Sequence, residues 1–202
     1  MRRTSRTIRK EDYLLSILML HVPSYARIEK YSQIAPEILR QTNTRPVEFL
    51  IIGDNKTMSV GEKRNAALNL SIGKYVCFVD DDDQVPEDYV FELLNGCRKG
   101  ADCIVFDMDY WKDEKFAGKV KFDIAHKSNH RNGKIGFNWM VNHLCPVRRE
   151  IALEAQFPDS NLREDFVYAE RIMKYLKNQY RIDKTLYTYR FDSSRTQTRR
   201  QR

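Results

Sequence analysis

Apolar residues in this chain fall into short continuous runs, and the stretches between them carry their apolar positions at helical spacing. Residues 14–20 read as a buried strand. Ile28, Tyr31, Ile34 and Ile38 then recur on one face of a helix over 25–40, which Pro36 is expected to interrupt or kink. A second apolar run, 47–52, ends at Gly53-Asp54-Asn55, and Ser59-Val60-Gly61-Glu62 forms a capping box that opens a helix through Leu70. Residues 75–79 are a third strand, Pro86 introduces a helix over 87–94, and residues 103–108 are a fourth strand. Strands alternating with helices at this spacing predict right-handed crossover units. The expected fold is therefore a single α/β Rossmann-like domain with a mostly parallel central sheet and helices on both faces.

The pattern loosens between Asp109 and Asn138, which reads as loop and edge strand. Helical spacing returns over 147–155 and 163–176, and 182–191 reads as a last strand. With 202 residues the chain suffices for one domain with a real core. No apolar run approaches the roughly 20 residues of a membrane span, and no cleavage pattern follows the first apolar run. The four cysteines form no C-x-x-C pair, and two sit in strand-like runs. A reducing cytoplasm fits this usage and structural zinc does not.

The net charge of +7 is concentrated at the ends. Residues 1–10 and 190–202 hold ten Lys/Arg and one Asp, which leaves the remaining 179 residues at net −2. Basic arms of this kind seek a polyanion, or remain as solvated tails. Their near lack of aliphatic residues suits a phosphate backbone better than a bilayer surface.

The chemistry centres on Asp80-Asp81-Asp82-Asp83, which closes the third strand. Ligands of open α/β sheets collect beyond the carboxyl ends of the strands. Adjacent carboxylates repel one another and are held together most readily by a hard cation, Mg²⁺ or Mn²⁺, which in turn neutralises a diphosphate. The competing reading is an acidic turn in which Asp82, Asp83 and Glu87 complement the dipole of the next helix.

Val22-Pro23-Ser24-Tyr25, Ile51-Ile52-Gly53-Asp54, Gly61-x-x-Arg64-Asn65 and the segment from Gly73 through Asp83 resemble, in order and spacing, the GT-A nucleotide-sugar domain of family 2 glycosyltransferases. Arg163-Glu164-Asp165 resembles that family's Glu-Asp motif, so the likeness extends to about Leu176. It implies a metal-dependent inverting transferase that takes a sugar from a nucleotide-sugar, a UDP-sugar by expectation, to an acceptor hydroxyl. By the same likeness Pro23 and Tyr25 line the base pocket and Asp54 faces the uridine, with Arg64 and Asn65 beside them. Many relatives carry two adjacent acids where this chain has Gly53-Asp54.

Asp80 and Asp81 fall on the donor side in this scheme, and Asp80 and Asp82 ligate Mn²⁺ or Mg²⁺. Asp81-x-Asp83 fits the same letters, but the family pattern begins directly after Val79. Asp165 is the expected base, with Glu164 shaping the acceptor side; as first-turn acids both also suit a helix dipole. His143 is a further candidate ligand or a packed, hydrogen-bonded residue. Trp139, Phe137 and Tyr110 are candidates for stacking on a ring, or for core.

The resemblance divides the chain into a basic arm (1–12), a transferase domain (13–191, with a nucleotide-sugar half to 110 and an acceptor half from 111) and a basic tail (192–202). The compact size and the arms also resemble small bacteriophage glycosyltransferases that decorate hydroxymethylated bases. This implies 5-hydroxymethylcytosine in phage DNA as the acceptor and the host cytoplasm as the location. The alternatives are a transferase of surface polysaccharide or lipid-linked sugar assembly, and an inactive nucleic-acid-binding protein on a transferase scaffold.

Overall fold

A computed structural model describes residues 9–193; the two arginine-rich ends, 1–8 and 194–202, lie outside the described residues. Among the described residues nine strands form one sheet in the order β2-β1-β3-β8-β4-β5-β7-β6, with β9 paired to β4. Strand β1 (Leu15–His21) lies parallel to β2 (Val47–Gly53) and β3 (Tyr75–Phe78). Helices α1 (Tyr25–Thr42), α2 (Val60–Leu70) and α3 (Tyr89–Cys97) supply the crossovers. Beyond β4 (Cys103–Lys112) the sheet changes character. β5 (Lys115–Phe122) returns antiparallel to β4, and β6 (His130–Asn132) forms an antiparallel hairpin with β7 (Gly136–Trp139) at the edge.

A two-residue strand, β8 (Val147–Arg148), wedges antiparallel between β3 and β4. Helices α4 (Arg149–Ala155) and α5 (Glu164–Ile172) follow, and β9 (Gln179–Phe191) runs parallel to β4. The sheet is therefore mixed, with parallel pairing in the first half, between β4 and β9 and between β5 and β7. The core is continuous across it, with Leu15, Ile17, Phe78, Val105, Phe106, Leu186 and Tyr187 all buried.

Three differences from the sequence expectation have physical causes. Helix α1 runs through Pro36 to Thr42, because Ile34, Ala35 and Ile38 are buried on the sheet and their burial outweighs one lost backbone bond. Residues 109–138 are mostly strand. Val120 and Phe122 alternate with Lys119 and Lys121 in β5, but long lysines on the outer face mask the period. The expected helix over 147–155 begins as β8, since the backbone of Val147 and Arg148 is needed to join β3 to β4.

The capping box forms as expected. The Ser59 N–H donates to Glu62 Oε2 at 2.8 Å and the Glu62 N–H donates to Ser59 Oγ at 3.0 Å. Within the box, Gly61 explains a motif position. A Cβ there would lie 1.8 Å from the Pro158 carbonyl oxygen, and the Gly61 N–H donates to Ser160 O at 3.0 Å. Only glycine lets the 158–161 segment lie on α2. That contact brings the start of α5 against Arg64.

Candidate active site

The carboxyl ends of β1 and β3 open into a cleft of about 600 Å³, a volume typical of small-molecule sites. Its lining includes Arg27, Lys63, Arg64, Asp80, Asp82, Trp139, His143, Glu164 and Asp165. The aspartate run alternates. Asp80 and Asp82 present side chains 31% exposed, whereas Asp81 and Asp83 are buried.

Asp81 is bound by His21 Nδ1 at 2.7 Å and by Arg27, and His21 in turn stacks on Tyr31 with centroids 3.9 Å apart. Asp83 accepts from the Tyr187 hydroxyl at 2.9 Å and from the Arg190 N–H at 2.9 Å. The run is thus anchored through its second and fourth members, which leaves the first and third facing the cleft. The helix-cap alternative is not what forms, because α3 begins only at Tyr89. His21, the last residue of β1, is buried and fastens Asp81.

Burial raises the Asp80 carboxyl, but Arg64, His143 and Arg27 outweigh it and hold the group well below its ordinary value. Burial raises Asp82 despite Arg27, and neighbouring Asp80 and Asp81 add to the rise. Asp83 is pushed up furthest, by burial and then by Asp80 and Asp82. Glu164 is raised by burial, with Arg64 opposing.

Arg64 is a buried cation of the site. Its guanidinium lies 5.0 Å from the Phe78 ring centroid and 5.5 Å from that of Phe157. It reaches Asp80 at 3.2 Å and Glu164 at 3.7 Å, while its Nε and Nη1 have no hydrogen-bond partner among the described residues. His143 is likewise buried with neither ring nitrogen hydrogen-bonded among the described residues, and its Nε2 lies 3.7 Å from Asp80 Oδ2. Buried polar atoms of this kind offer donors and acceptors to a bound ion or phosphate.

Two half-exposed carboxylates and an orphaned imidazole fit a divalent cation. Among the described residues no three His, Cys, Asp or Glu converge into an all-protein cage. Mg²⁺, however, is commonly held by one or two carboxylates and completed by substrate phosphates. Arg27, which reaches Asp82 Oδ2 at 3.1 Å, is the present counter-ion of that carboxylate.

Asp165 and Glu164 line the same cleft from the start of α5, with Glu164 3.7 Å from the Arg64 guanidinium. The preceding Arg163 adopts φ 60°, a left-handed conformation rare for a side-chain-bearing residue. It turns the chain so that both acids reach the cleft.

The other expected residues lie elsewhere. Asn65 is turned away, donating to Phe157 O at 2.9 Å and accepting from Phe157 N at 2.8 Å. Asp54 is occupied by Lys63 and by the N–H groups of Thr57 (2.7 Å) and Met58 (2.9 Å). Pro23 and Tyr25 flank the cleft without lining it, and Tyr25 is fully exposed. Their neighbours Val22 and Ser24 form the wall instead. Arg27, Lys63 and Trp139 also line it; nothing in local sequence separates those two cations from ordinary helix lysines and arginines.

A crossover sheet with paired acids at the end of its third strand and a second acid pair lining the same cleft defines a GT-A transferase architecture. The sequence agrees: residues 32–154 match the model of glycosyl transferase family 2, and the chain belongs to that family. No curated protein sequence matches it. Among solved structures it is similar to S. aureus TarS 1-349, with TM-score 0.60 and 14% identity over 88% of this chain and 60% of that one. It is similar also to the same protein in complex with UDP-GlcNAc (TM-score 0.60, 13% identity, covering 88% and 58%) and with UDP (0.61, 12%, 88% and 60%). The chain thus spans about three fifths of the length of those TarS structures.

Proposed function

We propose that this glycosyltransferase is an inverting enzyme that moves a sugar from a UDP-sugar to a hydroxymethylated base, 5-hydroxymethylcytosine, in DNA. The observation that carries the transfer reading is the convergence on one cleft of Asp80, Asp82, Arg64, His143, Glu164 and Asp165. Arg64 offers unpaired donors to a donor phosphate. Asp82, Asp80 and His143 would hold Mn²⁺ or Mg²⁺, whose charge offsets that developing on the leaving diphosphate.

Asp165 takes the proton of the acceptor hydroxyl as its oxygen bonds to the anomeric carbon. The bond from that carbon to the diphosphate breaks, and the nucleoside diphosphate leaves on the other face. Glu164 keeps Arg64 in place and shapes the acceptor side, within the half of the chain from residue 111. The UDP preference is supported by the fold shared with a protein solved with UDP and UDP-GlcNAc. The DNA acceptor is supported by the ten Lys/Arg of the two ends. Most of that charge lies outside the described residues.

The test is turnover of UDP-sugars with Mn²⁺, with and without duplex containing 5-hydroxymethylcytosine. DNA-stimulated transfer is expected. Turnover indifferent to DNA would place the enzyme in polysaccharide or lipid-linked sugar assembly, and DNA binding without turnover would make it an inactive scaffold.

A further inference from the structure

We infer that the β6–β7 hairpin is the element that enters the major groove of the acceptor duplex; this rests on the DNA reading above. Residues 115–138 contain six Lys/Arg against one acid, Asp123, while the chain between its basic ends carries a net −2. The excess is therefore local to this ribbon. Lys115, Lys121, Lys127 and Lys134 are exposed and make no ion pair among the described residues.

The ribbon also points the right way. Trp139 pairs with Phe122, next to the Lys121↔Asp107 pair, so Trp139 lies level with Phe106 and lines the cleft. From there β7 leads back to Gly136, which pairs through Lys119 with Asp109. The hairpin tip around Gly133 therefore lies about level with the β4–β5 turn, beyond the carboxyl ends of β1 and β3 where the cleft opens. At roughly 3.3 Å per residue, about 10 Å of ribbon separates Trp139 from Gly136.

Its side chains sort into two kinds. His130 faces Asn138 across the hairpin, and Asn132, two residues on, lies on the same side. These are imidazole and amide groups of the kind that read base edges. They engage one another only at 3.4 Å. Arg131 lies on the other side, over the Phe137 ring at 5.6 Å, and Lys127 and Lys134 flank the hairpin as phosphate-seeking charges. A two-stranded ribbon fits the roughly 12 Å major groove. The hydroxymethyl group on C5 of cytosine projects into that same groove, so docking there sets the acceptor hydroxyl beside the cleft.

An edge strand also carries lysines simply to block pairing with other chains. The two roles differ in what DNA binding does. Binding and glycosylation of a short duplex containing 5-hydroxymethylcytosine would be measured across a salt series for the full chain. The comparison is with Lys127→Ser/Lys134→Ser and with His130→Ala/Asn132→Ala/Asn138→Ala. The lysine variant should lower the log–log salt slope by about 1 per lysine removed, and Lys127→Arg/Lys134→Arg should restore it. The triple variant should raise KM for DNA about tenfold or more, with kcat at saturating DNA and KM for the donor retained.

If the wild type glycosylates the duplex and both variants match it in slope and KM, the hairpin inference fails alone. If the wild type neither binds nor modifies the duplex, the DNA reading fails and takes the inference with it. Heparin held as tightly as duplex at equal salt would overturn groove docking.

Discussion

The hydroxyl of Tyr187 donates to Asp83 Oδ2 at 2.9 Å, across 104 residues of chain, while accepting from the backbone N–H of Asp80 at 3.0 Å. One buried oxygen on β9 thereby holds both ends of the aspartate run and orients its first and third carboxylates to the cleft. Tyr187→Phe should leave two buried polar groups unsatisfied, at about 1–3 kcal/mol each. A fall in unfolding free energy of about 2 kcal/mol or more in urea, together with reduced turnover, is the expected result. Unchanged stability would mean that the run is held by other contacts.

Asp82 and Asp81 should separate function from structure. Asp82→Asn should lose metal-supported nucleotide binding by titration calorimetry while melting near the wild-type temperature. Asp81→Asn strips His21 and Arg27 of a buried partner, so it should be destabilised by about 3 kcal/mol.

Arg64→Lys tests whether the guanidinium is needed. Lysine keeps the charge but neither the fork nor the stacking between Phe78 and Phe157. Donor affinity should fall about tenfold or more, and a lysine variant with wild-type KM would remove Arg64 from the donor site.

Asp165→Asn should abolish transfer, by about 10²-fold or more, while sparing nucleotide binding. Were Asp165 only a first-turn acid, turnover would persist and stability would drop by about 0.5 kcal/mol.

Asp54 is held below its ordinary value by Lys63 and by the Met58 and Thr57 N–H groups. A depressed carboxylate stabilises the fold above its unfolded value near 3.8 and loses that contribution as pH falls through the folded value. Asp54→Asn should therefore be less stable than wild type at pH 7, with the difference shrinking below about pH 4. Guanidinium melts at stepped pH measure this, and a pH-independent gap would show that the effect is not ionic.

How far the site was legible depends on how local each constraint is. The capping box and the strand before Asp80 are set by neighbours within four residues, so periodicity and capping chemistry reveal them. Asn65 belongs to the same motif as Arg64, yet it holds the Phe157 backbone 92 residues away. Nothing near it in the chain shows that. The β5 to β7 ribbon was obscured because an edge ribbon buries one face only and its outer face carries lysine, amide and imidazole side chains.

By itself, then, the sequence determined the crossover half of the sheet, the family likeness and the two acid pairs. Each of these is written in short-range spacing, where backbone sterics and side-chain burial act along the chain. Tertiary structure alone decided which aspartates face the cleft, because the deciding contacts, His21 and Arg27 on Asp81 and Tyr187 on Asp83, come from three other elements. A buried carboxylate must find a donor wherever the fold provides one.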